Sequence, residues 1–347
     1  MNRWLPLVCT LLYVVLFVLV HGYFFHVDAM LLLFHLHPFF LLPPDVQYLH
    51  GSPLVPIVAH YLGIAGYVSM RLFYLLLVCA AVCSVYFYTK DLAEKEKEEE
   101  QKKAHVVLLL TVALSPLLFT LLSAMGKPDP LLVVLYIWFL WGRKSFVIKN
   151  GAVFFMLLTH REMALCMLLA WWLLYRPKWK ETAALLPGAL LAFLWFALYT
   201  SVLGGFADRV AYIATNKDLL LVDIRYGMLP ILLTSFSWFW IMVGGAFWKD
   251  PQNRLRYAGA VLLTVGMAAI TTDHSRIASL VGLPLVLFVL ERIIALGLID
   301  VLYQKRWRLF AASMLSFGYG TSTLIFSYWP IFFAAHPALL SQIARLL

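Results

Sequence analysis

Long apolar stretches, separated by short polar or charged loops, run through almost the whole chain. Apolar stretches of roughly 18 or more residues are long enough to cross a bilayer as helices. We therefore expect an all-α protein, a polytopic transmembrane helical bundle of about 9–12 membrane helices, some of them short paired hairpins. The first stretch, 4–20, follows one basic residue and has no small-residue cleavage site, so it predicts a retained first helix rather than a signal peptide.

The polar segments that follow differ in character. Residues 22–70 are rich in histidine and aromatic residues, and we interpret them as an external loop with interfacial helices. Residues 90–104 mix acids and lysines, a pattern that predicts a charged cytoplasmic hairpin. The sequence leaves open whether the apolar stretch 53–66 crosses the membrane, since a crossing there would move that hairpin to the outside.

Composition sets the class of protein and the side of each loop. The 347 residues are 63% hydrophobic and 13% charged, which excludes a soluble domain of this size and favours a single integral-membrane domain over 1–347. The net charge of +9 comes from basic residues in short loops. That is the pattern of cytoplasmic loops, so it sets topology and we expect no nucleic-acid partner. The four cysteines lie in apolar segments and indicate neither a disulfide framework nor a zinc site.

Two pairs of basic loops constrain the segments between them. The loops 143–149 and 176–180 are about one membrane crossing apart, so a single straight helix would place them on opposite sides. Two half-length helices would place both loops inside, with the tetrad 159–162 (THRE) at the tip. This geometry predicts a short helical hairpin whose charged tip faces a cavity open to the outer side.

The same arrangement recurs late in the chain. The loops 249–256 and 305–308 flank the segment 271–276 (TTDHSR), with apolar arms 258–270 and 277–290 that are each too short for a relaxed span. A charge at bilayer depth costs at least about 2.5–3.5 kcal/mol on insertion scales. The acid, imidazole and guanidinium of this segment therefore need polar surroundings, and we expect a second hairpin tip that lines the same cavity.

Polar residues on the expected outer side form the candidate site. We predict three carboxylates as catalytic residues: Asp28, Glu162 and Asp273. We predict a mixed set as substrate-binding residues: Lys127, Asp129, His160, Arg161, His274 and Arg276. Arginine and lysine suit phosphate oxygens, whereas carboxylates suit sugar hydroxyls, a divalent metal or the deprotonation of an attacking hydroxyl. The sequence requires no cofactor and leaves a divalent metal open.

Each candidate also has a purely structural interpretation. Asp273 and Arg276, spaced i and i+3, are then an internal salt bridge, and Glu162 pairs with the neighbouring Arg161. The first-loop acid is then an ordinary loop residue, and the segment 126–130 (GKPDP) a proline turn. The first-loop histidines lack close ligand spacing, which favours interfacial anchors over a dedicated metal site.

These motifs together resemble the GT-C superfamily of polytopic membrane glycosyltransferases and the related bacterial polysaccharide polymerases. The similar features are an inside N-terminus, an acid soon after the first helix (Asp28), interfacial helices, a second acidic turn in GKPDP and an "HE"-like element in HRE (160–162). The segment 273–276 (DHSR) resembles an acid–arginine element of the polymerase branch. The first loop lacks the family's Asp-Glu pair, so Glu162 and Asp273 stay alternatives to Asp28 as the base.

The resemblance implies a transferase in a bacterial inner membrane, with its active site on the periplasmic side of the bilayer. It would move a sugar from a polyprenyl-phosphate or polyprenyl-pyrophosphate donor to a glycan or lipid acceptor. A polymerase that joins lipid-linked repeat units is the close alternative. A lipid or solute transporter is an alternative of another class, because buried charges mark substrate paths. A membrane O-acyltransferase that uses His160 or His274 is a third.

Overall fold

The computed structural model describes residues 34–43, 47–115, 117, 120–121, 127–142, 145–206, 214, 236–270 and 274–315. Every regular element in these ranges is helical, which confirms the all-α prediction for this part of the chain. The predicted first helix at 4–20 lies outside the described residues, as do Asp28, Asp273 and everything after residue 315.

The α-helices of the described ranges are, in chain order, α1 (Leu54–Tyr61), α2 (Tyr67–Ala93), α3 (Glu98–Ala113), α4 (Asp129–Trp141), α5 (Phe146–Thr159), α6 (Arg161–Tyr175), α7 (Trp179–Ala183), α8 (Leu186–Leu203), α9 (Trp240–Lys249), α10 (Arg254–Ala269), α11 (His274–Ala295) and α12 (Ile299–Gln304). Short 3₁₀ helices occur at Gln47–Gly51, Ser237–Phe239 and Pro251–Asn253. Residues 306–315 are also helical.

Local sequence signals account for several helix ends. The Ser145 hydroxyl accepts the Ile148 N–H at 3.3 Å and so caps the start of α5. Pro130 stands in the first turn of α4, where its missing N–H costs nothing. Gly204 ends α8 with φ 73°, a left-handed conformation that glycine adopts without a side-chain clash.

Three stretches are long and apolar enough to cross a membrane: Tyr67–Ala93, Trp179–Leu203 and Arg276–Ala295. The second of these carries a row of exposed leucines, among them Leu190, Leu194 and Leu198. Exposed apolar area of this extent is unfavourable in water and suits contact with lipid tails. The described chain is therefore compatible with a membrane protein, and the larger number of spans expected from the sequence stays a prediction.

The short helix α1 answers a question that the sequence left open. Its eight residues rise about 12 Å at 1.5 Å per residue, less than half of the hydrocarbon thickness. The stretch 53–66 does not cross a bilayer as a helix.

The charged segment 90–104 contains a tight turn between two helices. Helix α2 ends at Ala93 and α3 begins at Glu98.

The first predicted hairpin is confirmed. The chain leaves the helical conformation at one residue, His160, which is extended with φ −162° and ψ 93° between α5 and α6. Lys149 lies eleven residues before this break and Trp171 eleven residues after it, yet the Lys149 ammonium is 5.7 Å from the centroid of the Trp171 ring. The two helices are therefore antiparallel, with residues 159–162 at the tip.

Helices α10 and α11 form an antiparallel pair, as the second predicted hairpin requires, but its tip at 271–273 lies outside the described residues. The Tyr257 and Phe288 rings on these two helices have centroids 5.7 Å apart. The expectation of two short arms is wrong for α11, which has 22 residues from His274 to Ala295. This helix begins directly at the charged segment and is long enough for a full span.

Helix α11 is the centre of the bundle. Residues 276–290 are all buried, although most helices of a globular protein bury only one face. It packs against α2, α3, α4, α6, α9 and α10. Since Tyr175 near the end of α6 contacts Phe288 with ring centroids 5.2 Å apart, α6 and α11 run in the same direction.

The common direction of α6 and α11 gives the bundle two chemically different ends. The tip 159–162 lies at one end of the bundle together with the facing ends of α10 and α11, at Ala269 and His274. We call this the tip end. At the opposite end of the bundle, the segments that connect the helices and the helix ends beside them carry most of the described arginines and lysines. We call this the basic end. Contacts there include Arg256 Nη1, which donates to the Leu174 carbonyl at 3.1 Å.

Candidate functional site

An ion pair between α4 and α11 is buried at the tip end. Arg276 Nε lies 2.7 Å from Asp129 Oδ2. Asp129 is fully buried, and Arg276 exposes 7% of its surface. Each residue stands in the first turn of its helix, so the contact joins two helix starts that are 147 positions apart in sequence (276 minus 129).

This pairing explains how a guanidinium can begin a buried helix. A positive charge near a helix N-terminus is unfavourable because the helix dipole is positive there, whereas the Asp129 carboxylate is favourable at the start of α4. The carboxylate neutralises Arg276, so α11 can start at the charged segment instead of after it. Within the described residues Asp129 is an ion-pair partner of Arg276, whereas the Asp273 that the i, i+3 spacing suggested lies outside them.

The tip of the α5–α6 hairpin holds a second charged group. Arg161 donates to Glu162 Oε1 from Nη2 at 2.9 Å and from Nε at 3.3 Å. His160 Nδ1 lies 3.5 Å from the other carboxylate oxygen. The Arg161 guanidinium also lies over the Phe196 ring of α8, 5.5 Å from its centroid. The side chains of Arg161 and Glu162 are 24% and 26% exposed, so this group is accessible in a way that the Asp129–Arg276 pair is not.

The contacts of Glu162 determine what it can do chemically. Burial acts to raise the pKa of its carboxyl group, but the His160 hydrogen bond and the charges of His160 and Arg161 outweigh burial and lower the pKa to about 2. Glu162 stands at the hairpin tip, outside the three candidate spans. A carboxylate with so low a pKa is a weak base, so Glu162 is better suited to orienting Arg161 than to accepting a proton.

A segment from the predicted external loop covers this end of the bundle. We call residues 34–43 and 47–62 the capping segment. A Cβ placed on Gly51 would lie 3.6 Å from both carboxylate oxygens of Glu162, which brings the capping segment into contact with the hairpin tip. Sequence reasoning did not identify this neighbour, since a glycine in a long loop carries no chemical signal.

Two buried histidine–tyrosine contacts fasten the capping segment to the long helices. His50 accepts the Leu42 N–H at Nε2, so its Nδ1 carries the proton and donates to the Tyr199 hydroxyl at 2.8 Å. Tyr199 in turn donates to the Pro38 carbonyl. Burial lowers the pKa of His50 to about 4, which keeps its ring neutral in this chain of hydrogen bonds.

The second fastening reaches the neighbourhood of the ion pair. His35 Nε2 is 2.9 Å from the Tyr74 hydroxyl, and both side chains are buried. Tyr74 interacts electrostatically with Asp129. The sequence predicted interfacial anchors, whereas His35 and His50 are buried within the protein and bind tyrosine hydroxyls.

The remaining predicted residues are distributed as follows. Lys127 is half-buried and lies two residues before α4, and His274 is the first residue of α11. Asp28 and Asp273 fall outside the described residues. No three histidine, cysteine or acidic side chains of the described ranges lie close enough together to hold a metal ion.

The tip end thus holds a buried ion pair and a separate, accessible arginine that a glutamate and an aromatic ring hold in place. Comparison with known proteins adds no assignment: no protein-family model, no curated protein and no solved structure matches this chain.

Proposed function

We propose that the protein is a membrane glycosyltransferase of the GT-C type, which moves a sugar from a polyprenyl-phosphate or polyprenyl-pyrophosphate donor to a glycan or lipid acceptor. The reaction takes place at the tip end, on the outer face of a bacterial inner membrane in which the chain is a multi-pass protein. The basic end faces the cytoplasm, in accord with the positive-inside rule.

The observation that carries this proposal is the segregation of functional groups to one end of an apolar bundle. The Arg161–Glu162 and Asp129–Arg276 pairs come from three different helices and both lie at the tip end, where the capping segment contacts Glu162. A lipid-linked donor needs a cation for its phosphate beside apolar surface for its tail, and both occur here. Arg161 offers a planar fork of donors, held by Glu162 and Phe196, that fits phosphate oxygens.

In this proposal Arg161, Lys127 and Arg276 stabilise the charge that builds on the leaving phosphate. Asp129 holds Arg276, and His160 with Glu162 holds Arg161. The low pKa of Glu162 makes it a poor base for the acceptor hydroxyl. We therefore assign the base to Asp28 first and to Asp273 second.

Incubation of proteoliposomes with a radiolabelled polyprenyl-linked sugar tests the function. The expected result is release of polyprenyl phosphate or pyrophosphate together with label on a glycan or lipid product. Label that crosses the bilayer while still attached to its lipid would instead identify a transporter. Product that grows in whole repeat units would identify the polymerase alternative.

Substitution of the predicted base tests the mechanism. Asp28→Asn keeps the side-chain shape but removes the proton acceptor, so turnover should fall by about 100-fold or more while donor binding persists. Asp273→Asn is the matched control, with the same chemical change in the competing acid. Normal turnover by Asp28→Asn together with an inactive, donor-binding Asp273→Asn would transfer the role to Asp273.

A further inference from the structure

Two arginines at the basic end are held by aromatic residues rather than by acids. The first is Arg254, at the start of α10. Its Nε donates to the Phe247 carbonyl at 3.0 Å. Its guanidinium carbon lies 5.5 Å from the centroid of the Phe247 ring and 5.8 Å from that of Trp248. One guanidinium is thus ordered by a carbonyl and two rings.

The second arginine, Arg306, repeats this arrangement after α12. Its Nη1 donates to the Tyr303 carbonyl at 3.2 Å. Its guanidinium carbon is 4.5 Å from the Tyr303 ring centroid and 6.0 Å from that of Trp307. Both sites therefore consist of an arginine, the carbonyl of a nearby aromatic residue, the ring of that residue and a tryptophan.

Arg254 and Arg306 differ from the arginines that contact a carboxylate in the net charge of their surroundings. Arg161, Arg276 and Arg292 each contact a carboxylate, which neutralises them. Within the described residues neither Arg254 nor Arg306 is in an ion pair, so each keeps its full positive charge. Each also keeps N–H groups beyond the one that binds the carbonyl. A guanidinium that is ordered, charged and has further N–H donors can bind an anion with several oxygens.

The surroundings indicate which anion this is. Trp248 is 76% exposed and Trp307 is 71% exposed, beside helices with apolar surface. Large exposed tryptophans with cations next to them are typical of the layer where lipid headgroups meet the hydrocarbon region. A soluble anion would gain nothing from the indole rings, whereas a phospholipid contacts them with its glycerol and upper acyl chain.

We propose that Arg254 and Arg306 each bind the phosphate of an anionic phospholipid in the leaflet at the basic end, with Trp248 and Trp307 packed against the same lipid. These sites are independent of the proposed glycosyl transfer, because they lie at the end of the bundle opposite the hairpin tips.

Lipid binding to the purified full chain tests the proposal. The protein is equilibrated in detergent with phosphatidylglycerol or phosphatidylcholine, and bound lipid is counted by native mass spectrometry. The double variant Arg254→Gln/Arg306→Gln should bind phosphatidylglycerol about fivefold more weakly or worse, as expected for the loss of cations near a lipid headgroup. The variant Arg254→Lys/Arg306→Lys should lose most of the same affinity, because an ammonium reproduces neither the stacking nor the fork.

The matched control is Lys178→Gln/Lys180→Gln, which removes the same charge from two exposed lysines of the basic end. It should change affinity less than about twofold, since mobile surface cations act only through a screened field. Equal losses in Arg254→Gln/Arg306→Gln and in the control Lys178→Gln/Lys180→Gln would overturn the proposal. Equal binding of both lipids by the wild type would do so as well. Wild-type affinity in the arginine-to-lysine variant would overturn it too. Displacement of the lipid by inorganic phosphate at the same concentration would show a site for free anions instead.

Discussion

The buried carboxylates at the two ends of the bundle differ in the number of hydrogen-bond donors around them. At the basic end Asp250 accepts hydrogen bonds from Arg292, Tyr257 and Asn253. At the tip end Asp129 is more deeply buried, but in the described residues its Oδ1 has no hydrogen-bond donor. A buried carboxylate with few donors depends more strongly on each of them. The comparison therefore predicts that Asp129 is more sensitive than Asp250 to the loss of a partner.

Glu291 strengthens the contrast. It accepts hydrogen bonds from the Tyr88 hydroxyl at 2.6 Å and the Tyr175 hydroxyl at 3.0 Å, and so joins α2, α6 and α11 near their basic ends. At the tip end the described side-chain contacts of Glu162 come from its chain neighbours His160 and Arg161. The capping segment lies against this group.

The largest expected effect comes from breaking the buried ion pair. Arg276→Ala leaves Asp129 charged and uncompensated, so the free energy of unfolding should fall by about 3–5 kcal/mol. Asp129→Leu/Arg276→Met removes both charges and should stay within about 1.5 kcal/mol of the wild type. Unfolding in SDS titrations measures both. A stable but inactive double variant would assign the pair to function, whereas a double variant as unstable as Arg276→Ala would assign it to the fold.

The Asp250 cluster should show the next effect. Asp250→Asn weakens its hydrogen bonds to a charged partner, and the free energy of unfolding at pH 7 should fall by about 1.5–3 kcal/mol.

The same cluster has a predictable dependence on pH. Burial acts to raise the pKa of Asp250, but the hydrogen bonds from Asn253, Arg292 and Tyr257 outweigh it and hold the pKa below its usual range. The contribution of Asp250 is therefore complete above the unfolded value of about 3.9 and is lost as the pH falls through the lower, folded value. Thermal unfolding should separate wild type and Asp250→Asn equally from pH 8 to 5, and less below about pH 4. A separation that shrinks as the pH rises would contradict this.

A matched pair of glycines compares the packing of the two ends. A Cβ on Gly188 would lie within 2.4 Å of the Asn150 carbonyl oxygen, where α8 meets α5, so Gly188→Ala should cost about 1–3 kcal/mol of unfolding free energy. A Cβ on Gly51 meets Glu162 at an ordinary 3.6 Å, so Gly51→Ala should stay within about 0.5 kcal/mol. A larger loss in Gly51→Ala would show that the capping segment is as tightly packed as the basic end.

A small effect is expected from the hydrogen bonds that hold the capping segment. Tyr199→Phe removes the hydroxyl between His50 and Pro38, and should cost about 0.5–1.5 kcal/mol. Amide exchange at 38–51 should speed up without faster exchange in α11. Because the folded pKa of His50 is depressed to about 4, its stabilising contact is present above about pH 6.5 and is lost as the pH falls toward 4. Protection of the Leu42 amide that is unchanged by either treatment would contradict the proposed fastening.

Parts of the fold were predictable because they depend on local chemistry. The break at 160 follows from a charged tetrad between two apolar stretches, each flanked by basic loops. The length of α11 was underestimated because the arm was expected to cover only the apolar residues 277–290. The helix instead extends from His274 to Ala295, and Asp129 neutralises the Arg276 in its first turn. Asp129 and Arg276 were both among the candidate residues, but no local pattern indicated that they contact each other. The expected contact of Arg276 with Asp273 stays a prediction, since Asp273 lies outside the described residues.

The sequence alone determined the helical class, the basic loops and the positions of the two hairpin tips. These follow from hydrophobic run lengths and from charges that cannot remain in lipid. The tertiary structure decided which carboxylate neutralises Arg276, which tyrosines bind His35 and His50, and that α11 is buried on all sides. Such contacts join residues far apart in the chain. Their selection depends on how whole helices pack, a property that no local pattern of residues contains.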